Sequence, residues 1–354
     1  MNTERNFRST PTVHTYFPLT PCMKKVLKIT LIILAVIVVA ITAVVGYVKT
    51  ALPGANVADA ADIKIEYTAE RIERGKYLAN AVAMCIDCHS IRDFSVFGAP
   101  MIAGTEGKGG EKFSKELGFP GDFYPPNITP AALGNWTDGE LLRAITEGVS
   151  KDGHALFPVM PYPSFGQMDK EDIYSIIAYI RTLKPIENTA PPSEPEFPVN
   201  ILINTMPQPA KFSTIPPKEE LVPYGKYLLT MAACSDCHTP MDKGKPLEGK
   251  YLAGGLEFNL PDGTVLRSAN ITPDKQTGIG NWTEEYFISR FKMYSDSAYV
   301  QHKVGPKEFK TLMPWFSYTN METHDLKAIY TYLQTVPAVN NQIVKFEDRQ
   351  PAAE

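Results

Sequence analysis

Cys85, Cys88 and His89 stand together in the stretch MCIDCHS, and Cys234, Cys237 and His238 in ACSDCHT. A cysteine pair two residues apart can hold zinc, exchange disulfides or form thioethers, and each use asks for a different neighbourhood. A zinc site would have to join two pairs that lie far apart in the chain, and it would leave both histidines idle. Thioredoxin-like exchange expects a strand-helix-strand setting, whereas both motifs here follow helical sequence.

A wider comparison of the chain with itself shows that the motifs belong to a duplicated unit. RGKYLANAVAMCIDCHS (74–90) matches YGKYLLTMAACSDCHTP (224–240), and NITPAALGNWTDGELLRAI (127–145) matches NITPDKQTGIGNWTEEYFISRF (270–291). VMPYPSF (159–165) likewise matches LMPWFSY (312–318). Covalent haem attachment uses every member of each motif: two thiols add to the vinyl groups, and the next residue presents imidazole to the iron. Four of the five cysteines sit in these motifs, leaving Cys22 alone and no network of structural disulfides.

The opposite face of each iron then needs a ligand, and the repeat narrows twelve methionines to two equivalent pairs. Met168 and Met321 each precede a helix and can staple onto Ile173 and Leu326, which is a sufficient structural task. Met160 and Met313 lie in loops where a following proline fixes the backbone, with Tyr162 and Trp315 nearby to cover a ring edge. Met160 and Met313 are therefore the expected ligands, closing the irons held by His89 and His238. His154 and His302 could compete for the first and second iron, but they are not repeated between the copies and read first as solvated or hydrogen-bonded side chains, whereas His14 and His324 have no motif around them. Trp136 and Trp282 repeat within GNWT, either to bind a haem propionate through the indole N–H or to pack at a helix start. Asn127, Asn135, Asn270 and Asn281 match the glycosylation pattern but are better read as turn and cap residues.

The elements that must position these residues are mainly helical. Ile173, Ile176, Ile177 and Ile180 close the first copy with a helical stripe, and Leu326, Ile329, Tyr330 and Leu333 close the second. Thr137 with Glu140 forms a capping box, whereas Thr283 faces Tyr286 and caps more simply. Nine prolines between residues 185 and 219 exclude a continuous helix and mark a connector, whose apolar piece FPVNILI is expected to lie against a domain surface. EFNLPDGTVLRS reads as a hairpin.

One segment, residues 29–48, carries no charge and is long enough to span a bilayer, longer than the apolar core of a cleaved leader. Lys24, Lys25 and Lys28 before it, with Asp59, Asp62 and Glu66 after it, orient the N-terminus toward the cytoplasm and the rest of the chain outside. Met23, followed by two lysines, would equally serve as the start of such an anchor. The expected order is an N-terminal cytoplasmic segment (1–28), a transmembrane anchor (29–48), a first haem domain (66–184), a proline-rich linker (185–219), a second haem domain (220–337) and a tail (338–354). A net charge of −4 with interspersed signs excludes the concentrated basic face that nucleic acid requires.

With these motifs in view, the chain resembles membrane-anchored di-haem c-type cytochromes whose two domains are of the class I cytochrome c kind. NITP, GNWT and MPY are similar to those of the cytochrome c subunit of bacterial membrane-bound alcohol and gluconate dehydrogenases, over about residues 70–337. The resemblance implies His/Met iron in both domains, carried onto Cys85, Cys88, His89 and Met160 and onto Cys234, Cys237, His238 and Met313. Those subunits carry three haem motifs, and a third C-x-x-C-H is absent here. The implied function is single-electron transfer, without substrate chemistry, between respiratory or dehydrogenase partners at the outer, periplasmic face of the cytoplasmic membrane. A dehydrogenase, a quinol-oxidising complex or a terminal oxidase would be such a partner. The alternatives are a di-haem cytochrome c peroxidase, which would need an exchangeable iron site beside an acid/base group, and the cytochrome subunit of an alcohol or sugar dehydrogenase.

Overall fold

The computed structural model describes residues 20–242 and 244–349, so His14 and parts of the expected N-terminal segment and tail lie outside the described residues. The chain divides into two compact units after Thr50. The first contains helix α1 (Pro21–Thr50), none of whose residues is buried, and it is long and apolar enough to cross a membrane. Its 30 residues include the span expected at 29–48 and extend about 45 Å, more than a hydrocarbon core of about 30 Å requires.

The second unit holds both copies and the connector between them, and it is mainly helical. In the first copy, α2 (Ala69–Tyr77) leads into a π-helical turn (Leu78–Val82) and then α3 (Cys85–Cys88). There follow α4 (Pro130–Leu133), α5 (Asp138–Glu147), α6 (Tyr162–Phe165) and α7 (Lys170–Ile180). The connector contributes the single turn α8 (Val199–Leu202), continued by a 3-10 turn at Ile203–Thr205. The second copy repeats the plan with α9 (Leu221–Met231), α10 (Cys234–His238), α11 (Glu284–Lys292), α12 (Trp315–Tyr318) and α13 (Thr323–Leu333).

First and last helices of each copy cross at a glycine. A Cβ on Gly75 would lie 1.7 Å from the carbonyl oxygen of Ser175 in α7, and one on Gly225 would lie 1.9 Å from that of Ala328 in α13. Only hydrogen fits there, so the repeated GKY sets how closely the helices approach. The stripes expected from periodicity form the core at these crossings: Ile173, Ile176, Ile177 and Ile180 are buried in α7, as are Leu326, Ile329 and Leu333 in α13. Each such side chain contributes roughly 1.5–3 kcal/mol by leaving water. Tyr330 is only half-buried, its hydroxyl donating to the Trp282 carbonyl at 2.7 Å.

The caps follow the sequence. Thr137 and Glu140 exchange both bonds of a capping box at α5, whereas Thr283 accepts only the Tyr286 N–H at α11. Between α2 and α3 the first copy is one residue longer than the second between α9 and α10, and the π-helical turn absorbs the extra residue. Such turns recur at functional positions because they re-aim the following chain.

The connector is strapped to the first copy through backbone bonds. Lys211 N–H donates to the Gly166 carbonyl at 2.7 Å, Ala210 N–H reaches Glu147 at 3.1 Å, and residues 194–195 pair antiparallel with 121–122. The expectation that its apolar piece would be covered fails at two positions: Phe197 is 78% exposed and Leu202 48%. Val199, Ile201 and Ile203 of the same piece are half-buried. The expected hairpin forms from Glu257–Asn259 and Thr264–Arg267, and Phe346–Asp348 from the tail adds a third antiparallel strand.

Candidate functional site

Both cysteine motifs are built alike. Each begins after a non-glycine residue in the left-handed region, Met84 at φ 54° and Ala233 at φ 50°, an unfavourable conformation that a fold retains where chain direction matters. The reversal starts a single helical turn, so the two thiols of each pair project from one face one turn apart, and all four are free. Burial pushes the thiols of Cys85, Cys88 and Cys234 up to about 12 and that of Cys237 up to about 11. They are neutral at physiological pH, unlike the thiolates of exchange catalysts. Cys237 is the exposed member of the four, the other three thiols being half-buried.

The histidines are held by the backbone. His89 Nδ1 lies 2.7 Å from the Pro126 carbonyl oxygen, and His238 Nδ1 lies 2.7 Å from that of Ala269. A carbonyl can only accept, so Nδ1 carries the proton and Nε2 presents a lone pair. Burial lowers both imidazoles below the ordinary histidine value, against the opposing pull of that carbonyl bond, and keeps them neutral. A backbone carbonyl behind Nδ1 is the arrangement that orients a metal-binding imidazole and raises its basicity.

The acceptor segment is fixed by a second repeated device. The His89 carbonyl accepts from Gly109 N–H and the His238 carbonyl from Gly254 N–H, each at 2.7 Å. A Cβ on either glycine would lie 2.4 Å from the backbone carbon of Pro126 or Ala269, so the chain can pass only because none is there. Next in sequence, the side-chain oxygen of Asn127 accepts from Thr129 N–H at 2.8 Å and that of Asn270 from Thr272 N–H at 3.0 Å. Their side-chain amides donate to the Ile186 and Val339 carbonyls at 2.7 and 2.8 Å. Both asparagines are thus buried structural turns, in keeping with their reading as turn residues.

Met160 and Met313 share one backbone geometry. Each begins an inverse γ-turn, with Tyr162 N–H donating to the Met160 carbonyl at 2.7 Å and Trp315 N–H to that of Met313 at 2.8 Å. Pro161 and Pro314 hold the centre of the turn at ψ 54° and 64°. Both methionines are half-buried and pack on the same core as Cys85 and Cys234, whereas Met168 and Met321 are buried within it.

The other histidines are engaged elsewhere. His154 is a surface loop residue bonded to Ser150 and Asp152, His302 stacks on Phe97 with ring centroids 5.1 Å apart, and His324 lies beside Asp325. Among the described residues, no three His, Cys, Asp or Glu side chains gather as an ion site, so the thiols and imidazole do not converge as zinc ligands do. Paired thiols on one face and an imidazole with a free Nε2 match instead the donor set for a covalently held haem.

Sequence reasoning missed the carbonyls of Pro126 and Ala269 and the glycines behind them, because the acceptors lie 37 and 31 residues from their histidines. It also missed a buried ion cluster present in the first copy alone. Arg92, only 11% exposed, bonds Glu111 and lies 3.4 Å from Asp87 within the motif, whereas Met241 takes the equivalent place in the second copy.

No family model matches the chain. It is 31% identical over 288 residues to the fructose dehydrogenase cytochrome subunit of Gluconobacter japonicus, covering 75% of this chain and 53% of that protein. It is 27% identical over 319 residues to the cytochrome c subunit of the quinone alcohol dehydrogenase of Gluconobacter oxydans, covering 84% and 60%. A diheme cytochrome c-type protein of Cereibacter sphaeroides is 28% identical over 268 residues, covering 72% of this chain and 82% of the relative. The chain thus spans little more than half the length of these two dehydrogenase subunits. Its homologues, at 27–31% identity over most of the chain, are cytochrome c subunits of dehydrogenases and a dihaem cytochrome c, in agreement with the resemblance carried by the motifs.

Proposed function

We propose that the protein is a di-haem c-type cytochrome that carries single electrons between redox proteins at the outer face of the cytoplasmic membrane, held there by α1. The observation that carries this reading is the duplicated arrangement of two free thiols and a histidine whose Nδ1 is bonded to a backbone carbonyl at 2.7 Å. Cys85 and Cys88 would hold one haem and Cys234 and Cys237 the other, in two tandem cytochrome-c-like domains covering 66–184 and 220–337. His89 with Met160, and His238 with Met313, would hold the two irons.

When bound, haem supplies reversible one-electron Fe(III)/Fe(II) chemistry. The chain's own part is to hold the imidazoles in one tautomer, to keep methionine sulfur in place through the Pro161 and Pro314 turns, and to bury the ligands. A neutral thioether favours the ferrous state and so raises the potential. With Met160 and Met313 as ligands neither iron would keep an open position for peroxide, which favours a carrier over a peroxidase. Partners of the dehydrogenase kind are supported by the relatives, and a quinol-oxidising complex or terminal oxidase fits the same chemistry.

Potentiometric titration of the purified full-length protein tests this reading. Two one-electron waves, no catalytic peroxide turnover and reduction by a membrane dehydrogenase or quinol-oxidising fraction are expected. Rapid peroxide consumption with a reduced donor would overturn the carrier assignment.

A further inference from the structure

The two copies differ in length at two places, and the longer pieces meet. The chain from His89 to Gly109 is longer than its counterpart from His238 to Gly254, and that from Trp282 to Met313 is longer than that from Trp136 to Met160. The longer piece of the first copy contains a hairpin at 91–102, closed by Ile102 N–H donating to the Ile91 carbonyl at 2.8 Å and Asp93 N–H to that of Pro100 at 2.9 Å. The longer piece of the second copy contains the loop 296–312 that leads into Met313.

This loop lies along the hairpin. Phe97 N–H donates to the His302 carbonyl at 3.0 Å and Val304 N–H to that of Ser95 at 2.8 Å, around an antiparallel bridge between Val96 and Lys303. The Phe97 ring stacks on His302 with centroids 5.1 Å apart and lies 6.0 Å from the ring of Phe309, which shortly precedes Met313. Beyond the methionine, Phe316 presses on Gly98, where a Cβ would lie 3.0 Å from its ring. The hairpin therefore meets the chain on both sides of the Pro314 turn.

The segment leading into Met160 is held differently. Among the described residues, every hydrogen bond made by 148–158 stays within the first copy, and Phe157 stacks on Phe123 of the same copy with centroids 4.3 Å apart. The short helices after the two methionines pack reciprocally, α12 on the π-helical turn and α6 on α9, so the asymmetry lies in the chain before them.

We propose that the hairpin 91–102 is the seat of the Met313 loop and that Phe97 is a positioning residue for Met313, so that ligation at the second iron depends on the first copy. A thioether carried on a loop leaves the metal when the loop lifts, and an external ligand that replaces it binds in proportion to the lifted fraction. Two backbone bonds and a ring packed against both His302 and Phe309 keep that fraction small. The approach to Met160 draws no such support from the second copy.

The inference rests on the haem reading and on both methionines as ligands. Full-length protein is therefore first shown to carry two covalent haems and to lose about half of its methionine-to-iron absorption in Met160→Ala and in Met313→Ala. Imidazole, which displaces methionine, is then titrated against the remaining band in each background. With Met160→Ala, adding Phe97→Ala should tighten imidazole binding about tenfold. Phe97→Tyr, which keeps the ring, and Val300→Ala, 79% exposed on the same loop, should leave it within about twofold. With Met313→Ala, Phe97→Ala should change nothing. If Phe97→Ala fails to fold, Phe309→Ala, which removes the partner ring, decides. Unchanged binding in the folded variants, or an equal change at both sites, overturns the seat and leaves the carrier reading standing. Fewer than two haems, or a full band surviving in the methionine variants, overturns the seat together with the reading beneath it.

Discussion

The Tyr77 hydroxyl donates to Asp325 at 2.6 Å across the boundary between the copies, and Tyr227 makes the reciprocal bond to Asp172 at 2.6 Å. The same hydroxyls accept from Glu322 N–H at 3.0 Å and Asp169 N–H at 3.3 Å. The repeat is therefore also a pseudo-twofold pairing, in which each copy's first helix inserts a tyrosine at the start of the other's last helix.

The pairing is unequal in charge, which predicts unequal costs. Asp172 receives a fork from Arg74 at 2.9 Å for both bonds, whereas the second copy has Tyr224 where the first has Arg74, and Asp325 Oδ1 has no bonded partner among the described residues. Tyr77→Phe removes a bond to a fully buried carboxylate and should cost about 1–3 kcal/mol. Tyr227→Phe should cost less, because the Arg74 fork remains. Urea denaturation of both variants checks the order, and a larger loss for Tyr227→Phe would contradict it.

The helix crossings give a second expectation. Gly75→Ala or Gly225→Ala drives a methyl into backbone that cannot yield without moving a helix, so each should destabilise by about 3 kcal/mol or more. Gly54, whose Cβ would meet nothing closer than 3.6 Å, serves as control and should change stability by less than about 0.5 kcal/mol as alanine. Equal melting temperatures for Gly75→Ala and Gly54→Ala would refute the packing account.

Acid sensitivity should trace to Asp138, which ties the segment before α2 to the start of α5. It accepts from Ile65 N–H at 3.0 Å and Tyr67 Oη at 2.6 Å and pairs with Arg181 at 3.2 Å. Burial alone would raise this carboxyl, but those three partners hold it below the usual carboxylate value. A depressed folded value means stability that is present above the unfolded pKa, about 4, and lost as pH falls below it. The gap in stability between wild type and Asp138→Asn should be constant from about pH 7 to 5 and shrink below about pH 4. A gap that widened toward acid would reverse the sign of this argument.

Ligand choice is tested by colour. Met160→Ala and Met313→Ala should each remove about half of the methionine-to-iron charge-transfer absorption, while Met168→Ala and His154→Ala leave it intact. Persistence of the full band in both loop variants would exclude the assigned methionines.

Local chemistry was legible in the sequence where spacing or periodicity carried it. The motifs, the buried isoleucines of α7, the Thr137 capping box and the hairpin ending at Arg267 all depend on neighbours within a few residues. What escaped depends on distant partners. Nothing near Pro126 marks its carbonyl as the acceptor for His89, and nothing near Tyr77 points to Asp325. The π-helical turn at Leu78–Val82 reads as ordinary helix until the copies are aligned and the extra residue is noticed. Phe197 reads as covered because it is apolar, yet it is 78% exposed, since burial depends on which distant surface the connector meets.

The account's central claim is most directly tested by the mass of the denatured full-length chain, since thioethers survive unfolding. Wild type should carry two haems, and Cys85→Ala with Cys88→Ala, or Cys234→Ala with Cys237→Ala, should each leave one. A bare polypeptide, or a wild type with a single haem, would contradict it.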